Sequence, residues 1–195
     1  MRNIISDLGK EIEAYIQKSD EIYLAIALID EYGLSIIENI SKDKTVYLLL
    51  GVDLPTPVTV LERLLTLPFE TKIYIDEKFF HPKMYLFKMN DSYVGFIGSA
   101  NFTKAGLSEN IEISYRIEDM EDCLSLKDWF DEIQKNGVLL DEDFLKRYGD
   151  IERSNSLDVK KVKELKSNCI SIHNEKSLKV WGAKRINCNS DGSVN

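Results

Sequence analysis

Apolar residues recur every three or four positions at the start of the chain. Ile4, Ile5, Leu8, Ile12, Tyr15 and Ile16 form one stripe, which predicts an amphipathic helix. The period then changes. "EIYLAIALI" (21–29) is short and apolar at both parities, as a strand covered on both faces would be. "DEYGLSIIENI" returns to helical spacing, "KTVYLLLGV" predicts a second buried strand, and "VTVLERLLTL" a helix with Thr56 as its expected cap. "TKIYID" makes a third strand. The order α-β-α-β-α-β predicts a sheet containing parallel strands with helices packed against it.

Beyond Asp76 the alternation stops. "KMYLFKM" and "YVGFIGS" are two strands joined through "NDS", a hairpin signal. "FTKAGLSE" suits one or two helical turns. "NIEISYRI" alternates strictly, with Asn110, Glu112 and Ser114 at one parity and Ile111, Ile113 and Tyr115 at the other. "DMEDCLSLKDWFDEIQK" is helical and acidic, with Trp129 and Phe130 expected in core or dimer packing. The expected fold class is α/β, a mixed sheet flanked by helices with a helical C-terminal segment. Residues 1–152 read as one catalytic-size domain, 153–185 as a basic helical extension or linker, and 186–195 as a polar, disordered tail.

Composition changes this picture in two ways. At 195 residues and 44% hydrophobic side chains the chain supports one substantial core, and no apolar run reaches membrane-spanning length. The first residues alternate charge with apolar positions, unlike a signal peptide. Cys123, Cys169 and Cys188 are widely spaced and fit neither a zinc pattern nor a disulfide framework, which points to a reducing cytoplasm. The net charge of −8 argues against a polyanionic partner, but it is unevenly spread. Between Lys160 and Arg185 stand eight Lys or Arg against Glu164 and Glu175, a local +6 that leaves −14 on the remainder. Such a segment is a basic arm for nucleic acid or a solvated helix face.

The chemistry concentrates in "HPKMYLFKMNDSYVGFIGSAN" (81–101). On a strand, residues two apart share a face, so His81 aligns with Lys83 and Ser99 with Asn101. Unprotonated imidazole is a nucleophile near neutral pH. Lys83 and Asn101 offer donors to the oxygens of a phosphoryl group, which gain charge as the reaction proceeds. Gly98 permits close backbone approach. Glu112 is placed to accept the second ring N–H of His81. Ser99 either joins the phosphate ligands or shapes the turn after Gly98. Lys104 reads as a solvated lysine, and Asp53 with Thr56 as a helix cap. A metal-dependent nuclease would need paired carboxylates, and Asp76 and Glu77, adjacent on a strand, would face opposite ways.

"HPK" followed by "GSAN" resembles the HxK…GSxN signature of the phospholipase D superfamily. "FTKAGLSENIE" is similar to that superfamily's continuation, and "AIALIDEYGL" and "LLLGVDLPTPVTVLERL" resemble the N-terminal region of NgoFVII-like restriction endonucleases. The resemblance spans residues 1–118. It implies metal-independent attack on a phosphodiester without a cofactor. His81 would form a covalent phosphohistidine or act as the acid, Lys83, Asn101 and Ser99 would hold the phosphate, and Glu112 would support the histidine. The superfamily reaction uses two histidines. The only other one here is His173, in "SIHNEK", without the motif around it. The resemblance therefore implies a homodimer whose two His81 side chains share one site. Where the pattern has an Asp five residues after the Lys, this chain has Lys88, with Asp91 in the turn. DNA is the expected substrate, with sequence reading left to a separate domain or subunit; "LKVWGAKRIN" would suit its first strand. The alternatives are a phospholipase or phosphatidyl transferase, and a dimeric module that binds nucleic acid without cutting it.

Overall fold

A computed structural model describes residues 3–152, 161–162 and 164–172. The chain runs through β1 (Ile4–Ile5), α1 (Leu8–Lys18), β2 (Glu21–Ile26), α2 (Glu31–Glu38), β3 (Thr45–Leu50), α3 (Val58–Leu65) and β4 (Glu70–Tyr74). Then come β5 (Lys83–Met89), β6 (Ser92–Gly98), β7 (Ser114–Ile117), α4 (Met120–Ile133), β8 (Gly137–Leu139) and α5 (Glu142–Glu152), with residues 164–172 helical again. One mixed eight-stranded sheet results, in the order β1-β7-β6-β5-β2-β3-β4-β8. The expected parallel part is β2-β3-β4, and β5, β6 and β7 extend it antiparallel.

The apolar runs at both parities are explained by two cores. Ile22, Leu24 and Ile26 of β2 face one side with Ile12 and Ile16 of α1 and Val60 and Leu64 of α3. Tyr23 and Ala25 face the other with Leu49, Leu86, and Cys123 and Phe130 of α4. Burying each of these large side chains stabilises the fold by about 1.5–3 kcal/mol. The hairpin turn is the two-residue Asn90–Asp91, with Ser92 already paired to Met89 and Asn90 at φ 51°. Asn tolerates that left-handed backbone better than most residues.

Several expectations are corrected. α3 starts after Pro57, and Thr56 does not cap it; its hydroxyl is buried without a partner among the described residues. Asp53 is not a cap either: it accepts the Phe80 N–H at 2.9 Å and pairs with Lys166. Of the alternating 110–117 stretch only Ser114–Ile117 forms a strand. Its inward side is the polar one, with Ser114 and Arg116 buried and Ile111, Ile113 and Tyr115 exposed. Phe130 is core, edge-on to Tyr23 at 5.5 Å, whereas Trp129 is 40% exposed. Cys123 and Cys169 are free thiols. Among the described residues no helix is long and apolar enough to cross a membrane. His173, "LKVWGAKRIN" and the 186–195 tail lie outside the described residues.

Candidate active site

β2 lies between β3, which runs parallel to it, and β5, which runs antiparallel. The sheet thus changes from parallel to antiparallel pairing at β2, and the approach to β5, the first residue of β5 and the exit from β6 lie at the carboxyl end of β2. The expectation of His81 and Lys83 on one strand is corrected: β5 begins at Lys83 and pairs it with Ile26. His81 lies just before the strand and is exposed, while Lys83 is only 7% exposed.

The two side chains touch. Lys83 Nζ is 2.9 Å from Nδ1 and 3.0 Å from Nε2 of His81, and it donates to the His81 carbonyl at 3.1 Å. An ammonium has no lone pair, so a ring nitrogen bonded to it is the unprotonated one of a neutral imidazole. Burial, then the Lys83 charge, holds the His81 pKa below its ordinary value. Burial also lowers the Lys83 pKa, against the opposing charge of Glu112. Among the described residues Lys83 makes no ion pair closer than that field. A desolvated cation is thus held against an exposed imidazole, a pairing whose charge burial leaves incompletely compensated.

Asn101 is half-buried, and its Oδ1 has no hydrogen-bond donor among the described residues. The main chain around it is held tightly. Tyr85, fully buried and with its hydroxyl pKa raised by burial, donates to the Ala100 carbonyl at 2.7 Å. Phe102 N–H donates to the Leu28 carbonyl at 3.1 Å. Asp30 accepts the N–H of Gly33 at 3.0 Å and of Lys104 at 2.9 Å, so it both caps α2 and fixes the turn after Asn101. A single π-helical turn, Ala105–Glu109, closes over that segment. A Cβ at Gly106 would lie 2.4 Å from the Asn101 carbonyl oxygen, and one at Gly98 2.4 Å from that of Ile113. Both contacts are far inside van der Waals distance, so only glycine fits.

Glu112 departs from its expected place. Its carboxylate accepts the Ser99 hydroxyl, and the Asn110 amide at 3.2 Å. Among the described residues no hydrogen bond joins it to His81. Residues 111–113 stay outside β7, and the carboxylate reaches the exit of β6 instead; its charge still acts on Lys83. Lys88 lies five residues from Lys83, about 17 Å along β5 and on the opposite face, where it pairs with Glu21. Whatever an Asp there does elsewhere, this position is remote from Lys83 and His81. Lys104 is taken up by Glu109 at 2.8 Å. Asp76 and Glu77 are in the loop after β4, not on a strand, and Asp76 accepts the Lys78 N–H at 3.3 Å.

Asp30, Tyr85 and Gly106 do not stand out in the sequence pattern. Asp30 carries a signal nonetheless, standing at the cap position directly before a helical stretch. A cleft of about 630 Å³ lies at the β8 edge, but its cations Lys72, Lys135 and Arg147 are paired with Glu70, Glu132 and Asp143.

A family model, the NgoFVII restriction endonuclease N-terminal PLD domain, matches residues 7–143. NucT from Helicobacter pylori is similar in structure, at 16% identity and a TM-score of 0.58, over 70% of this chain and 96% of that one. Nuc from Salmonella typhimurium, described as a phospholipase D family member, superimposes with a TM-score of 0.50 at 15% identity, over 67% and 88%. Polyphosphate kinase from Porphyromonas gingivalis reaches 0.55 at 14% identity, over 80% of this chain and 29% of its own. These likenesses establish the fold. Comparison with curated proteins by sequence finds no match.

Proposed function

The chain belongs to the family of the NgoFVII restriction endonuclease N-terminal PLD domain, a phosphodiesterase family, and from that premise we propose that it hydrolyses DNA through a phosphohistidine. The observation that carries the proposal is the contact between the exposed His81 imidazole and the buried Lys83 ammonium. A phosphate at this site would pair with Lys83 and take donors from the Asn101 amide nitrogen and, once it turns from Glu112, the Ser99 hydroxyl. A ring nitrogen of His81 attacks phosphorus, the P–N bond forms and the P–O bond to the leaving strand breaks. The leaving oxygen takes a proton from a second imidazolium. That ring, now neutral, removes a proton from water, whose oxygen attacks phosphorus and breaks the P–N bond.

The second imidazole is assigned to His81 of another copy across a two-fold axis. The surface beside the site supports this. Ile4, Tyr115 and Ile97 stand opposite one another across β1, β7 and β6, at 58%, 45% and 40% exposure. Ile113 continues the patch, and its carbonyl accepts the Ser99 N–H at 3.0 Å. On the other flank Phe79 is exposed, with its ring centroid 5.6 Å from that of His81. Apolar surface flanking a half-site is what a dimer seam would cover. Recognition of a particular sequence is assigned to a separate domain or subunit, and the free thiols suit a cytoplasmic protein.

Purified protein incubated with plasmid in EDTA is expected to nick and linearise it, and to leave labelled phosphatidylcholine intact. Lipid turnover without DNA cleavage would replace DNA as the substrate. Intact plasmid with a retained gel shift would make the chain a binding module.

The pH profile of cleavage follows from the lowered pKa values. The nucleophile needs a deprotonated His81, so the acid limb of kcat/KM falls below the ordinary histidine pKa of about 6.5. The leaving oxygen needs a second His81 that is still protonated, so the alkaline limb is set first by histidine as well, and deprotonation of Lys83 below the ordinary lysine value of about 10.4 removes what activity remains. In Asn101→Ala both limbs should stay where they are while kcat drops. An acid limb at or above the ordinary histidine value would contradict a His81 kept neutral by Lys83.

A further inference from the structure

Lys166, on the helix over residues 164–172, is 2% exposed. Its ammonium donates to both oxygens of Asp53, at 3.0 Å and 2.8 Å, and to the Lys78 carbonyl at 3.4 Å. It also lies 5.4 Å from the centroid of the Tyr74 ring. Asp53 in turn accepts the N–H of Phe80 at 2.9 Å. Phe80 stacks on Tyr74 with centroids 4.5 Å apart, and the next residue is His81. On the far side of His81, the Pro82 carbonyl accepts the Ala27 N–H at 3.0 Å.

The strap from Lys78 to Pro82 is thus fixed at five backbone atoms, and Lys166 supports two of them, the Lys78 carbonyl directly and the Phe80 N–H through Asp53. Such a pair is a poor way to gain stability. Two charges withdrawn from water usually hold a fold together no better than apolar side chains of the same volume. Apolar groups, however, cannot hold a particular N–H and a particular carbonyl. Those two atoms set the direction in which the chain arrives at His81. Leu165 packs beside Lys166 into the main core, with Cys169 and Ile170 partly buried against it. The cation is therefore delivered by a docked helix and not by a loose side chain.

We propose that Lys166 is a positioning residue for His81, and that the helix over 164–172 is a clasp through which the C-terminal part of the chain completes the active site without touching substrate. The proposal rests on the reading of His81 as the nucleophile. It also separates two uses of the basic C-terminal stretch: Lys166 acts inward on the site, whatever the other cations do toward DNA.

Lys166→Met alone leaves the Asp53 carboxylate buried and unpaired, so the decisive variant is Asp53→Asn with Lys166→Met in the full chain. The amide introduced in place of the carboxylate can still accept from the Phe80 N–H, and no charge is stranded. Once a cooperative thermal melt shows this variant folded, kcat for DNA cleavage is expected to fall about tenfold or more with KM within about twofold, because a displacement near 1 Å is costly at a reacting centre. Lys166→Arg, which keeps the ion pair, should recover part of the rate. A second readout is independent of catalysis. The ring ¹⁵N resonances of His81, assigned by their loss in His81→Ala, should shift in the double variant at fixed pH. A folded double variant with wild-type kcat and unmoved resonances overturns the proposal. So does a rate loss that only tracks the unfolded fraction, with the resonances unmoved. If the wild-type protein cleaves no DNA, the nuclease reading fails, and the resonances alone decide whether the clasp holds the ring.

Discussion

His81→Ala should lose DNA cleavage by at least about 10⁴-fold in kcat while remaining folded, since removing a covalent nucleophile leaves only what binding and charge stabilisation supply. The ring is exposed and belongs to neither apolar core, so its loss opens no cavity. Unfolding free energy is expected to change by no more than about 0.5 kcal/mol, the usual range for surface substitutions. Mixing extends the test to the shared site. If each reaction needs both copies of His81, a wild-type protomer paired with an alanine protomer is inactive. Equal amounts of the two proteins, allowed to exchange, should then lower the activity per wild-type protomer to roughly half, as random pairing across a two-fold axis dictates. Undiminished activity per wild-type protomer would mean that each protomer holds a complete site. Sedimentation of the active wild-type protein as a monomer would also remove the shared-site argument.

What can be read in advance follows the range of the interactions involved. The order of helices and strands up to Tyr74 rests on local period, and the strands at the centre announce themselves because both of their faces are covered. β1 and β8 escape a sequence reading for the opposite reason. Strands of two and three residues carry no period, and exist only because β7 and β4 offer an edge to pair with. "NIEISYRI" shows the limit of alternation. It separates two faces but not which of them meets protein, and here the apolar face with Ile97 and Tyr115 is left exposed. The site behaves similarly. His81 and Lys83 do touch, and Lys83 and Ser99 stand at neighbouring ends of β5 and β6. Glu112 turns to Ser99, since its place depends on where β7 begins. Lys166 reads in the sequence as one more charge in a basic run. Its burial depends on Asp53, 113 positions earlier, and no pattern within a segment can disclose that.

Lys83→Met is the other change with a large expected effect, and its two consequences run in opposite directions. The ammonium is the charge nearest the attacking nitrogen and the candidate phosphate's main cation, and it sits where water has been largely excluded. Loss of such a group typically removes about 3–4 kcal/mol of transition-state stabilisation, a fall of roughly 10²–10³ in kcat. The acid limb of the profile should also move up toward the ordinary histidine value, because Lys83 is one of the two causes that hold the His81 pKa down. Stability should not follow activity. The lowered pKa of Lys83 means that the fold disfavours the charged form, so below that pKa the unfolded chain binds the proton more tightly. The penalty of burying the cation is therefore present at neutral pH and disappears as pH rises through the folded and then the unfolded pKa. A methionine of similar length removes that penalty and packs beside Tyr85 and Ile26. Urea unfolding of Lys83→Met at pH 7 should match or exceed the wild type, within about 1 kcal/mol. A variant that lost activity and stability together would identify Lys83 as a structural cation, and the site would then need another group to receive the phosphate.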